Sequence, residues 1–175
     1  MNFSTNKLVK AALFLALGIV IPLFFHLTNI PGKIFLPMHI PVLLCGFILG
    51  KEYGFIVGFI TPLLNSFISG MPPLFPVAII MAFELSVYGF FSGYLYKNKK
   101  FNIFISLIIS MILGRLVSGI LYYCLLSAQG NKYTLSIFVA SSFIKPFMGI
   151  IIQLILIPII VKALGNHKES IFLNE

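Results

Sequence analysis

Three ionisable side chains stand inside otherwise apolar stretches of the chain: Glu84, Arg115 and Lys145. A charge at mid-bilayer costs about 2.5–3.5 kcal/mol even on a lenient insertion scale, so such residues face a bundle interior or a wet cavity rather than lipid. Two cations and one carboxylate leave one positive charge over. A buried ammonium without a partner is costly and tends to lose its proton. A bound anion supplies the missing partner, and a small carboxylate-bearing molecule is the natural candidate. A phosphate dianion usually recruits more Arg, Lys and backbone donors than this set offers. The alternative is architectural: an Arg115–Glu84 ion pair that pins two helices, with Lys145 snorkelling to the interface.

Neutral polar residues complete the candidate site. Thr61, Asn65 and Ser69 recur every four residues and form one stripe on a helix. Glu84 and Tyr88 are one turn apart, and Arg115 and Tyr122 two. Lys145, Gly149 and Gln153 share a face at helical spacing. His39 lies near the outer end of its segment. The candidate substrate contacts are therefore His39, Asn65, Glu84, Tyr88, Arg115, Tyr122 and Lys145, in a site open to the outside and closed toward the cytoplasm. Two bland readings stand beside this one: His39 as a satisfied interfacial histidine, and the Asn65 stripe as interhelical hydrogen bonding. Catalysis has little to build on. There is no Gly-rich phosphate loop, no His-Glu-x-x-His motif and no acidic metal cluster, so no catalytic residue, metal or cofactor is expected in this chain.

Composition says where such a site must sit. Of 175 residues 59% are hydrophobic and 9% charged, with a net charge of +8. The mean hydropathy is +1.08. A soluble domain of this length cannot hide that much apolar surface. A disulfide scaffold and a nucleic-acid binder are also excluded: Cys45 and Cys124 lie in apolar runs, and the lysines punctuate apolar segments rather than cluster on a polar face. Six apolar segments cover residues 8–25, 34–50, 53–69, 74–96, 103–127 and 136–162. Crossing a bilayer takes about 20 helical residues. The first run is long for a signal peptide and lacks a small-x-small cleavage site, so it reads as a membrane helix. Lys51-Glu52 reads as a tight turn. With a cytoplasmic N-terminus, Lys7, Lys10, Lys51, Lys97, Lys99, Lys100, Lys162 and Lys168 fall inside and only Lys33 and Lys132 outside. The positive-inside rule then puts both termini in the cytoplasm. The expected architecture is an all-α membrane protein: one compact six-helix transmembrane bundle spanning 1–175.

Small residues recur at packing intervals: Ala12 and Ala16, Gly54 and Gly58, Ala78, Ala82 and Ser86, Gly89 and Gly93, and Ser110, Gly114 and Ser118. Such stripes let helix backbones approach closely in lipid. Most serve packing within the chain. The Ala12/Ala16 stripe is the candidate for an outward contact with another membrane protein.

The chain resembles the substrate-binding S component of energy-coupling factor (ECF) vitamin transporters. The resemblance covers its whole length and is most specific in 36–41 (Leu-Pro-Met-His-Ile-Pro), 58–64 (Gly-Phe-Ile-Thr-Pro-Leu-Leu), 70–76 (Gly-Met-Pro-Pro-Leu-Phe-Pro), and 82–85 (Ala-Phe-Glu-Leu) running on to Tyr88-Gly89 and Gly93. Within the family it is most similar to the pantothenate-type branch. The resemblance implies a multi-pass protein of the bacterial cytoplasmic membrane, surrounded by lipid, that captures a vitamin on its outer side. It also implies partners: a transmembrane coupling subunit, which the Ala12-x-x-x-Ala16 pattern would contact, and two ATPase subunits that use the ATP. Toppling within the membrane to release the vitamin inside is implied by the resemblance alone. Two other classes compete: a self-contained small-solute channel or facilitator, and a structural membrane subunit without ligand. Polar residues thin out in the inner halves of the segments, which disfavours a continuous path.

Overall fold

A computed structural model describes residues 5–28, 32–128 and 134–172. The loop readings at 29–31 and 129–133, with Lys132, lie outside the described residues. Every regular element among them is helical: α1 Thr5–Leu27, α2 Gly32–Phe35, α3 His39–Leu49, α4 Lys51–Ser69, α5 Ile79–Gly93, α6 Ile103–Ala128, α7 Leu135–Val139 and α8 Phe147–Phe172. An irregular turn at Leu74–Ala78 leads into α5, and π-helical turns at Tyr94–Asn98 and Ala140–Ile144 follow α5 and α7.

Among the described residues, four helical stretches are long and apolar enough to cross a membrane: Thr5–Leu27, Leu74–Asn98, Ile103–Ser127 and Phe147–Leu164. The expected spans at 34–50 and 136–162 come apart. In the first, the chain breaks at 36–38, where Leu36 takes a left-handed φ of 51°. This leaves an 11-residue α3, about 16 Å long at 1.5 Å per residue. In the second, Lys145 closes a π turn onto the carbonyl of Ala140, and Pro146 follows it. Proline has no N–H to offer the preceding turn, so the helix restarts beyond it. Lys51 and Glu52 do not form the turn between α3 and α4. They open α4, and the turn falls on Gly50, whose φ of 109° suits a residue without a Cβ.

Helix α5 is the hub, packed on α3, α4 and α6. Backbones meet there because side chains are missing. A Cβ on Gly54 would strike the carbonyl of Gly89, and one on Gly89 would strike the backbone of Gly54. These close approaches also set direction. Gly54 lies against Gly89 and Gly58 against Leu85, so α4 and α5 are antiparallel. Thr61 touches Gly18, and the Asn65 amide donates to the Gly18 carbonyl at 2.9 Å, so α1 lies beside α4. Gly114 meets Tyr88 and Glu84, and Gly149 meets Ile34 and Phe35. The N-termini of α3, α5 and α8 therefore share one end of the bundle, the His39 end. At the opposite end, Lys97 Nζ donates to the Ile48 carbonyl in the last turn of α3, a favourable place for a cation. Lys51 lies over the Tyr94 ring at 5.4 Å there.

Overfilling this contact should be costly. Inserting even one carbon into a tight interior typically costs about 1–3 kcal/mol, which for a chain of this size lowers Tm by roughly 2–12 °C. Gly89→Ala should show that loss in thermal unfolding of the detergent-solubilised protein. A Tm equal to wild type would mean that the α4–α5 contact is looser than described.

Candidate functional site

Midway along the bundle the apolar packing gives way to a polar layer. Helix α5 turns Ala82, Glu84, Leu85 and Tyr88 inward, and Glu84 is only 4% exposed. Its Oε1 collects three neighbours from three helices. Arg115 Nη1 of α6 lies 2.8 Å away. The Tyr88 hydroxyl donates from one turn along α5 at 3.0 Å. His39 Nε2, in the first turn of α3, lies at 3.8 Å, beyond hydrogen-bond reach, and its ring leans on that of Tyr88 with centroids 5.4 Å apart. Gly114 makes the arrangement possible: a Cβ there would run into the Tyr88 ring, so the glycine lets α6 come close enough for the next residue, Arg115, to reach Glu84.

The ion pair leaves donors over. Among the described residues, Arg115 Nε and Nη2 and both ring nitrogens of His39 are buried without a hydrogen-bond partner. The Nε–H and Nη2–H groups point in parallel from one edge of the planar guanidinium, the edge that grips a carboxylate with two bonds. Glu84 pairs with Nη1, and that edge has no hydrogen-bond partner among the described residues.

Asn65 and Lys145 are placed elsewhere. Asn65 uses its amide nitrogen on the carbonyls of Gly18 and Thr61, tying α4 to α1. No hydrogen bond joins it to Glu84, Arg115 or His39, so the structure gives it the interhelical role. Tyr122 is half-buried, two turns beyond Arg115 on α6. Lys145 is exposed, whereas Gly149 and Gln153 are buried. The face predicted to carry all three does not exist, because the π turn and the Pro146 break shift the register between 145 and 149. Among the described residues the interior therefore holds one carboxylate and one guanidinium rather than three charges, and the expected excess cation is corrected to a balanced pair with Lys145 outside it. The pairing considered as architecture, Arg115 with Glu84, is present. Gln153, which is not among the candidate contacts, is fully buried, and both its amide atoms lack a hydrogen-bond partner among the described residues. Its spacing of four from Gly149 was the available signal. Ala12 and Ala16 both lie on the exposed face of α1, beside the buried Ala11. No cluster of three or more potential metal ligands occurs among the described residues.

A bundle of apolar helices, four of them among the described residues long enough to cross a membrane, defines an integral membrane protein, and its interior carries a buried, incompletely partnered polar layer. The model of the ECF transporter substrate-specific component matches residues 6–161, and the chain belongs to that family. It is thus a substrate-binding transport protein and not an enzyme. Membership also implies association with the transmembrane and ATPase module of an ECF transporter. Comparison with curated proteins and with solved structures gave no match.

Proposed function

We propose that the chain is the capture subunit of an ATP-driven vitamin importer and that its substrate is a small carboxylate-bearing vitamin, with pantothenate favoured. The observation that carries this reading is the two-donor edge of Arg115, buried in the bundle with no hydrogen-bond partner among the described residues. Arg115 takes the carboxylate, and His39, Glu84 and Tyr88 meet the neutral polar part. Lys145, exposed on the far side of a helix break, takes no part. In this reading α1, α4, α5, α6 and α8 cross the membrane and the broken α2–α3 stretch supplies the sixth pass, with both termini and the lysine-rich end cytoplasmic and the His39 end outside. The gathering of Lys51 and Lys97 at one end of the bundle supports that orientation. The Ala12/Ala16 face docks on the coupling subunit, and two partner ATPases consume the ATP, with no cofactor in this chain.

The test uses an analogue pair. Panthenol replaces the carboxylate of pantothenate with an alcohol and keeps the rest. A charged hydrogen-bonded contact contributes about 1.5–3 kcal/mol, and each 1.4 kcal/mol is about tenfold in affinity. Calorimetric titration of the purified chain should therefore show panthenol binding roughly ten- to a hundredfold more weakly. Lys145→Met should bind pantothenate within about twofold of wild type. Equal binding of the two analogues would defeat the carboxylate assignment. A large loss in Lys145→Met would return that role to Lys145.

A further inference from the structure

Four helices contribute to one buried apolar cluster through Leu43 of α3, Tyr88 of α5, Met111 of α6 and Ile157 of α8. Four residues from each, on the same helix face and always toward the His39 end, stands a polar side chain: His39, Glu84, Arg115 and Gln153. Three of these form the cluster around the Glu84 carboxylate. The fourth stands in the same register by the same construction, and like His39 it has no hydrogen bond to a described residue. Gln153 is 0% exposed, and neither Nε2 nor Oε1 has a hydrogen-bond partner among the described residues. A buried amide left without bonds costs free energy on both its donor and its acceptor side, so packing alone does not account for a glutamine here.

We propose that Gln153 is a specificity-determining contact of the substrate site, reading a donor-plus-acceptor group of the ligand, such as an amide or ureido group, while Arg115 holds the carboxylate. The proposal rests on the reading of this layer as the substrate site and narrows the substrate class to carboxylates that also carry such a group. Nε2–H donates to the ligand carbonyl, and Oε1 accepts from its N–H. A site that buries hydrogen-bonding groups rejects ligands lacking the complement, because those groups stay unpaired.

The experiment is a thermal-shift and calorimetric panel on the full chain in lipid nanodiscs. Pantothenate and biotin carry a carboxylate with an amide or ureido group; lipoate and nicotinate carry a carboxylate without one. A member of the first pair should bind, and Gln153→Leu should weaken it about ten- to a hundredfold while leaving the ligand-free Tm equal or higher, since it removes unsatisfied buried atoms. A merely structural glutamine would not separate those two readouts. The chain has two glutamines, 129 and 153, so 15N labelling of glutamine side chains reads the wild-type protein directly, and the Gln153 NH2 signals should shift on saturation. Binding confined to lipoate or nicotinate, unchanged affinity in Gln153→Leu, or unmoved Gln153 signals would overturn the assignment and leave the Arg115 reading intact. Failure of all four compounds to bind would overturn both.

Discussion

Arg115→Met should be the most damaging single substitution in the chain, destabilising the folded protein by about 3–5 kcal/mol, because it strands the Glu84 carboxylate in the bundle interior. Glu84 is 4% exposed, and its other close contacts are a tyrosine hydroxyl and the more distant His39 ring. Glu84→Gln should also be costly, for the mirror reason: Arg115 would keep its charge and lose its partner. The double variant should lose much less than the sum of the two, since no unpaired charge remains. The magnitude is diagnostic. Ordinary interhelical hydrogen bonds in membrane proteins contribute about 0.6 kcal/mol on average and no more than about 1.7, so a coupling of several kcal/mol identifies a desolvated ion pair. Denaturant unfolding in mixed micelles gives all four corners of the cycle. Additive losses would show that the two charges are solvated separately. Under the proposed function, the folded double variant still lacks the carboxylate clamp and should bind pantothenate at least tenfold more weakly, which separates the architectural role of the pair from its role in binding.

Ala12→Trp should abolish vitamin uptake in cells while leaving ligand binding by the isolated chain within about twofold. Only Ala11 and Gly18 of α1 are buried, and the inner face of the helix is held by the Asn65 bond to the Gly18 carbonyl. Ala12 and Ala16 point the other way, among exposed apolar side chains that include Leu8, Leu13 and Val20. A small-residue face works by close backbone approach, and an indole prevents it. The adjacent residue is the control. Ala11 is 6% exposed, in a buried cluster with Val42, Val57 and Leu85, so Ala11→Trp should damage folding and binding together. Radiolabelled uptake beside calorimetry distinguishes the two. Full uptake by Ala12→Trp would remove this face from the partner contact, and lost binding would mean that α1 shapes the site.

Much of this protein follows from one-dimensional facts. Its place in the membrane follows from 59% hydrophobic content with 9% charge, because no fold of this length buries that much apolar surface in water. The helical character of each segment follows from the same solvent, which leaves a single-segment backbone no other way to satisfy its N–H and C=O groups. The pairing of Glu84 with Tyr88 was legible from a spacing of four, and the importance of Arg115 from the cost of its charge. What the sequence could not decide is which polar residues share a layer, because that depends on helix register across elements far apart in the chain. Asn65 has the spacing of a cavity residue, but its nearest carbonyl belongs to Gly18, 47 positions away. Lys145 has the spacing of a partner to Gly149 and Gln153, but one π turn and the break at Pro146 rotate it out. A periodicity of 3.6 holds only along an unbroken helix, and a single inserted residue moves every later side chain by about 100°. Close packing of Gly114 against Tyr88 then sets how near α6 comes to α5, and that distance makes Glu84 and Arg115 a pair and leaves Lys145 outside it.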